Sequence, residues 1–334
     1  MRMELRTTFD IPYSDRKINY NDPVMFIGSC FATSIGKQFE MGHMPVMINP
    51  SGTTYNPVSV CHTLNTITGG SNYVITDLCN YEGTWISLNH YTDFSSPDPE
   101  ALLDKINKKS AEALKFISSA RFLFITFGTA RVYRWNETGN IVSNCHKIPA
   151  SKFTRELLSV DYITALWKDQ LDKLQSLFPE LKVVFTISPV RHWKDGAHGN
   201  QVSKSVLFIA VEELLKHPSE PEYFPAYELL MDDLRDYRFY DDDMLHPSDV
   251  AVDYIWNAFT HCYFDDSTMK LWQESFKISR AVLHRVRAGS EDQIRKFAET
   301  MLGRIDSLTG RYPGINFAKE REYFRNLADN AKRP

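Results

Sequence analysis

Residues 21–32 read NDPVMFIGSCFA, and this stretch decides the fold that the sequence predicts. The apolar run 24–27 follows a turn-forming Asn-Asp-Pro and stops at Gly28, which is typical of a short buried strand. From Phe31 to Phe39, apolar residues recur every four positions, as they do along one face of a helix. The sequence therefore predicts a strand that passes into a helix through a very tight turn.

Two further apolar runs, 121–127 (RFLFITF) and 182–187 (KVVFTI), predict buried strands that end in Gly-Thr and Ser-Pro. Residues 73–95 indicate irregular or hairpin structure. Apolar spacing predicts helices from about Val58 and over 99–119, 157–177, 202–216 and 250–259. Because strands alternate with helices, we expect a three-layer α/β/α fold with a mostly parallel sheet and a ligand crevice at the carboxyl ends of its strands.

The length of 334 residues exceeds what a single hydrophobic core usually serves. We expect a catalytic domain over residues 1–264 and a C-terminal helical subdomain over residues 265–334. The apolar stripes of the subdomain are predicted to bury Trp272, Phe276, Ile278, Leu283, Phe297, Met301, Ile305 and Leu308. The same stripes are compatible with a homodimer interface.

Composition narrows the class of partner. The chain has 38 Lys and Arg against 42 Asp and Glu, without a long run of one sign, so we expect no nucleic-acid partner. Five scattered cysteines without a CxxC pair argue against a disulfide framework and a zinc site, and we expect no metal and no cofactor. A charged N-terminus and the lack of a long apolar stretch predict a cytoplasmic protein with no membrane partner, provided that no leader has been trimmed.

The predicted turn holds Ser29 and Cys30, which would lie at the sheet edge and at the positive end of the helix dipole. The dipole favours the thiolate of Cys30, whereas Ser29 needs an adjacent base to become nucleophilic. Asp243 and His246 can supply that base, because a three-residue spacing lets the carboxylate hold the imidazole in one tautomer. The sequence thus contains a nucleophile and a base that are far apart along the chain.

Each of these residues also has an ordinary structural explanation. A cysteine after a core strand is usually a small buried residue. The acidic run 241–243 is typical of a solvated loop, and a histidine before Pro247 can simply begin a helix. The functional interpretation depends on their combination.

A strand, a Gly-Ser-Cys turn and a distant Asp-x-x-His, in this order, resemble the SGNH/GDSL hydrolases. Gly28-Ser29-Cys30-Phe31-Ala32 matches the signature that names the related GSCFA family. Other stretches that are similar to that family are Asn56-Pro57-Val58, Phe127-Gly128-Thr129-Ala130 with Val132-Tyr133, Asn144-Cys145-His146-Lys147, Ser188-Pro189-Val190-Arg191-His192-Trp193, and Tyr237-Arg238-Phe239-Tyr240 leading into Asp243-Met244-Leu245-His246-Pro247. The resemblance covers residues 20–260.

The resemblance implies a nucleophile but leaves two candidates. An ungapped match to the Gly-Asp-Ser of the first SGNH block sets Cys30 on the nucleophilic serine. A shift of one residue keeps Ser29 in that role instead. In either case a backbone N–H of this turn would donate to the oxyanion.

The resemblance also implies an oxyanion site that departs from the usual pattern. Gly52 corresponds to the glycine of the second block and Gly128 to that of the third, where Ala130 replaces the usual Asn donor. The side chains that can substitute as oxyanion or substrate-binding groups are Asn144, Arg191 and His192.

The leading hypothesis is an esterase or acyl hydrolase that forms a covalent acyl-enzyme, with His246 as general base and Asp243 orienting it. Similarity to the SGNH hydrolases implies a small-molecule or glycan ester, such as an O-acylated carbohydrate, as substrate. An acyltransferase of the same fold and a non-catalytic binding module are the alternatives. His146 and Lys147 form a further candidate pair for binding a carboxylate or phosphate.

Overall fold

The computed structural model describes residues 6–283 and 291–330, which form two compact units. The larger unit comprises residues 6–16, 23–36 and 46–263. The smaller unit comprises Lys17–Asp22, Lys37–Pro45 and residues 264–330. The smaller unit therefore includes two short N-terminal segments, and the domain boundary after residue 264 stays a prediction.

The larger unit contains the strands. They are β1 Val24–Gly28, β2 Val46–Ile48, β3 Cys79–Tyr81, β4 Thr84–Ile86, β5 Ser95–Ser96, β6 Phe122–Phe127, β7 Arg131–Trp135, β8 Ile141–Val142, β9 Phe153–Leu157, β10 Lys182–Ile187 and β11 Glu222–Tyr223. Its helices are α1 Cys30–Met41, whose residues up to Gly36 belong to this unit, α2 Pro57–Gly69, α3 Pro99–Ile117, α4 Val160–Leu177, α5 Gly196–Leu214, α6 Ala226–Glu228 and α7 Asp249–Tyr263.

A parallel sheet forms the centre of this unit, and in the described residues its strand order is β11-β10-β6-β1-β2. Every residue of β1 and β6 is buried, as expected of parallel strands that helices cover on both faces. Met25 and Ile27 of β1 pack into one hydrophobic core with side chains from β6, β10 and helices α2, α4 and α5. The predicted α/β fold with a mostly parallel sheet is confirmed, and β1, β6 and β10 lie where the sequence predicted strands.

Two small antiparallel sheets accompany the central sheet, with strand orders β3-β4-β5 and β8-β7-β9. The first lies in the segment 73–95, for which hairpin structure was one expectation. In the second sheet, β9 ends at residue 157, where the sequence predicted that a helix begins. The helix α4 begins only at Val160. Ser159 sets that boundary, because its Oγ accepts a hydrogen bond from the Tyr162 N–H at 3.2 Å and caps the helix.

The smaller unit contains the C-terminal helices α8 Asp266–Leu283, α9 Glu291–Arg311 and α10 Ala318–Asn330. The predicted buried residues Trp272, Ile278, Met301, Ile305 and Leu308 are buried, and Phe276 and Phe297 are partly buried. The prediction for Leu283 is wrong, since its side chain is 71% exposed. It lies at the end of α8, beyond Ile278, the last buried apolar residue of that helix.

None of the helices in the described ranges combines the length and the hydrophobicity that crossing a membrane requires.

Candidate active site

The turn between β1 and α1 exposes one of its two candidate nucleophiles. Gly28 has φ of +142°, and a Cβ there would lie 2.1 Å from the Thr126 carbonyl oxygen, so only glycine fits between β1 and β6. The next residue, Ser29, is 1% exposed, and its Oγ accepts a hydrogen bond from the Phe31 N–H at 3.3 Å. Cys30 is the first residue of α1 and is partly exposed. Of the two candidate nucleophiles, the thiol is therefore the accessible one.

Cys30 lines a cleft of about 490 Å³. The other walls of the cleft come from the loop before α2, the sheet β8-β7-β9, the loop after β10, and His246. These segments meet because the carboxyl ends of β1, β6 and β10 lie at the same edge of the parallel sheet. A larger cleft of about 630 Å³, beside α2 and β3, includes neither Cys30 nor His246 in its lining.

Asp243 and His246 form a hydrogen-bonded pair. The Asp243 Oδ2 lies 2.6 Å from the His246 Nδ1, and the Asp243 Oδ1 accepts the backbone N–H groups of Leu245 and His246, each at 2.9 Å. These bonds, led by the one from the His246 backbone, lower the pKa of Asp243 to about 2. The ionised carboxylate can only accept a hydrogen bond, so the Nδ1 carries the proton and donates the bond to Asp243. The Nε2 of the neutral imidazole is then the nitrogen that can accept a proton.

Tyr55, which the sequence did not single out, faces the thiol. Its Oη lies 3.7 Å from the Cys30 Sγ. Its backbone carbonyl accepts the N–H groups of Gly128 and Thr129, at 2.7 and 2.9 Å, which fixes the tyrosine against the end of β6. Burial raises the pKa of Tyr55 above its usual value, and the adjacent Cys30 raises it further. The phenol therefore stays protonated and can donate a hydrogen bond beside the Cys30 thiol.

His192 packs edge-on against Tyr55, with ring centroids 5.5 Å apart. Its Nε2 is buried and has no hydrogen-bond partner among the described residues. Burial, followed by the charge of Lys204, lowers the pKa of His192 to about 4, and His246 contributes in the same direction. The imidazole is thus neutral at pH 7.

The predicted substrate-binding residues fall into two groups. Asn144, Arg191 and His192 line the cleft together with Cys30. The side chain of Asn144 is partly engaged, because its Oδ1 accepts the His146 N–H at 2.8 Å.

Gly52, Gly128 and Ala130 are not among the residues that line the cleft in the described part of the chain. The Gly52 N–H donates to the Asn49 carbonyl at 2.7 Å, and the Gly128 N–H donates to the Tyr55 carbonyl. Ala130 is fully buried, and its N–H donates to the Ser203 Oγ at 2.8 Å. Ala130 therefore packs against α5 and offers no side-chain donor to the cleft.

Across residues 6–283 and 291–330, no group of three or more His, Cys, Asp or Glu side chains could hold a metal ion.

The fold and the cleft together define an α/β protein with a mostly parallel sheet, a candidate nucleophile at its first strand-to-helix turn, and a hydrogen-bonded Asp-His pair whose histidine lines the same cleft. The GSCFA family matches residues 23–259, and the chain belongs to this family. A second match, to the GSCFA domain protein C-terminal domain, covers residues 276–329.

A search of curated protein sequences finds no match. Among solved structures, the chain is similar to a carbohydrate esterase family 3 protein from Talaromyces cellulolyticus, at 8% identity, 76% coverage of this chain, 99% of that one, and a TM-score of 0.36. It is also similar to a structure assigned as a GDSL-like lipase from Parabacteroides merdae, at 9% identity, 80% coverage of this chain, 99% coverage of that one, and a TM-score of 0.37. For a family two carbohydrate esterase from Clostridium thermocellum, solved with cellohexaose, the identity is 11%, the coverage is 76% of this chain and 65% of that one, and the TM-score is 0.33. Likenesses this low carry no argument about activity.

Proposed function

We propose that this protein is an acyl-ester hydrolase in which Cys30 is the nucleophile, His246 the general base and Asp243 the residue that orients it. The observation that carries the proposal is that Cys30 and His246 line one cleft, while the Asp243 Oδ2 lies 2.6 Å from the His246 Nδ1. The three roles need this arrangement of nucleophile, base and orienting carboxylate.

The reaction begins when the Cys30 Sγ attacks the carbonyl carbon of the ester and its thiol proton passes to the His246 Nε2. The developing oxyanion accepts hydrogen bonds from the Tyr55 hydroxyl and from the Cys30 N–H, which as the first N–H of α1 has no partner within the helix. Collapse of the intermediate breaks the ester C–O bond, and the leaving alkoxide takes the proton from His246. A thioester to Cys30 remains.

Water then attacks the thioester while His246 accepts one of its protons. The C–S bond breaks, the carboxylic acid leaves, and His246 returns the proton to the Cys30 sulfur. Ionised Asp243 stabilises the imidazolium in both half-reactions and is not itself protonated.

Burst kinetics test this proposal. The wild type should release p-nitrophenol from p-nitrophenyl acetate in a burst that is stoichiometric with enzyme, because acylation precedes a slower hydrolysis of the thioester. His246→Ala should abolish the burst. His261→Ala, at an exposed histidine of α7 outside the cleft, is the matched control and should retain it.

The same assay separates the alternatives. A burst that proceeds to steady turnover only when an alcohol is added would assign an acyltransferase. The lack of any burst or turnover in the folded wild type, with p-nitrophenyl acetate and with esters of acetylated sugars, would contradict the enzymatic proposal and leave a binding module.

A further inference from the structure

Four cationic side chains line the cleft around Cys30. Arg131 and Arg155 come from β7 and β9, and Arg191 and Lys194 follow β10. Among the described residues that line this cleft, none is an Asp or Glu. Positive groups gathered in a partly enclosed space focus a positive potential on whatever enters it.

Asp195 holds two of these arginines. Its side chain is 6% exposed, and its Oδ1 lies 2.6 Å from the Arg155 Nη2 and 3.5 Å from the Arg131 Nε. Asp195 is not one of the residues that line the cleft, so it orients both guanidinium groups from outside. One carboxylate offsets one of the two charges, and the pair of arginines remains net positive.

Arg191 and Lys194 contact aromatic rings. The Arg191 Cζ lies 5.0 Å from the centroid of the Trp193 ring, and the Lys194 Nζ lies 5.0 Å from that of Tyr133. Within the described residues, neither forms an ion pair with a carboxylate. A ring face holds a cation in place without using its N–H donors, which stay available to a ligand.

Lys204 lies behind these four cations, and its pKa is affected by the charge of Arg191. The amine is completely buried and donates to the Ser188 carbonyl at 2.6 Å. Burial, and after it the charge of Arg191, lowers the pKa of Lys204 to about 7. The nearby positive charge of Arg191 thus adds to the effect of burial in disfavouring the charged form of Lys204.

We propose that this cationic wall, Arg131, Arg155, Arg191 and Lys194, binds an oxyanion on the substrate, a carboxylate or a phosphate. The inference rests on the proposed esterase function and adds the substrate class to it: an acylated small molecule or sugar that carries an acidic group near its ester. Guanidinium groups bind both kinds of anion through paired N–H donors, which gives orientation as well as attraction.

The pair that the sequence suggested for binding an anion is not part of this wall. The His146 Nε2 lies 2.8 Å from the Ser87 carbonyl and 3.0 Å from that of His90, so the backbone occupies it. Lys147 is exposed, and neither residue lines the cleft in the described structure. The cations that line the cleft together with Cys30 come from the antiparallel strands and from the loop after β10.

A matched set of esters tests the proposal: 4-acetoxybenzoate and 4-acetoxyphenyl phosphate, which are anionic, and methyl 4-acetoxybenzoate, which is neutral. The wild type should show kcat/KM at least about tenfold higher for an anionic ester than for the neutral one, through a lower KM. The better of the two anions identifies the acidic group. Added salt should reduce the preference, because it screens the attraction.

Substitutions locate the effect. Arg191→Gln and Lys194→Gln should each lower the ratio of kcat/KM between the anionic and the neutral ester severalfold, and Arg191→Lys should restore part of it. The control is Arg121→Gln, a partly exposed arginine that precedes β6 and pairs with Glu180 away from the cleft, and it should leave the ratio unchanged. Benzoate should inhibit hydrolysis of the neutral ester competitively, and more weakly in Arg191→Gln.

Equal kcat/KM for the neutral and both anionic esters in the wild type would overturn the inference and leave the esterase function intact. An anionic preference that survives both Gln variants would overturn it as well. Hydrolysis of none of the three esters, together with no burst from p-nitrophenyl acetate, would instead count against the proposed function itself.

Discussion

Two walls of one cleft differ in chemistry and in origin. The first wall, Cys30, Tyr55, His192 and His246, carries a thiol, a phenol and imidazoles, and His192 and Tyr55 are held uncharged by burial. The second is the cationic wall, built on the antiparallel strands β7 and β9 and on the loop after β10. Proton transfer needs groups that can change charge, whereas recognition of an anion needs groups that cannot. The difference implies that reaction and recognition can be impaired separately.

The largest effect should come from the nucleophile. Cys30→Ala should lower kcat/KM for p-nitrophenyl acetate by at least about 10³-fold, because the acyl-enzyme can no longer form. Ser29→Ala, one residue away, should retain most of the activity, since that hydroxyl is buried and its contact is with the backbone N–H of Phe31.

Mass spectrometry of the acylated protein checks the same point independently. The acetyl group should be found on Cys30 in the wild type and in Ser29→Ala. If Ser29→Ala loses the activity and Cys30→Ala keeps it, the assignment of the nucleophile is wrong.

A smaller effect is expected at Tyr55. Tyr55→Phe should lower kcat by about 10²-fold with little change in KM, because its hydroxyl stabilises charge that develops only in the transition state. Tyr162→Phe, at an exposed tyrosine of α4, is the control and should match the wild type. A Tyr55→Phe protein that changes KM and not kcat would show that the phenol binds substrate and does not serve the oxyanion.

The smallest effect is expected on the stability of the folded protein, through Lys204 behind the cationic wall. The folded state lowers the pKa of Lys204 from 10.5 to about 7, so between these values the unfolded chain binds more protons than the folded one. The contribution of this residue to the free energy of unfolding therefore increases as pH rises through that window, and it decreases again as pH falls to 7.

Thermal denaturation at pH 7, 8 and 9, followed by circular dichroism, measures this contribution. The stability of the wild type relative to Lys204→Met should increase with pH, because methionine has no proton to lose. Lys168→Met, at a lysine of α4 outside the cleft, should differ from the wild type by an amount that does not vary with pH. A pH-independent difference for Lys204→Met would contradict the prediction.

The sequence predicted the long buried elements well. The strands β1, β6 and β10 are continuous apolar runs with turn residues at their ends, and these are local signals. The short edge strands β2 and β11 escaped prediction, since three and two residues are too few to show a period. Strand β9 also escaped prediction, and its last residue, Leu157, was taken for the start of the helix that begins at Val160.

The candidate site was predictable only in part. The Gly-Ser-Cys turn and the Asp-x-x-His spacing are local patterns, and both were found. Arg191 was predicted to be a substrate-binding residue. Tyr55, Arg131, Arg155 and Lys194 were missed, because they are single residues on loops and half-exposed strands. No period or spacing relates Tyr55 to Cys30 or Arg155 to Arg191.

By itself, the sequence determined that a buried strand turns sharply into a helix at Gly28, and that an Asp243 carboxylate lies within reach of His246. These features depend on neighbours along the chain. Only the tertiary structure decided that Cys30, and not Ser29, opens into the cleft, and that the cationic wall lines the same space. The reason is physical: which side chain is exposed, and which charges meet, depends on how β1, β6, β10 and the antiparallel strands pack across distances that no local pattern encodes.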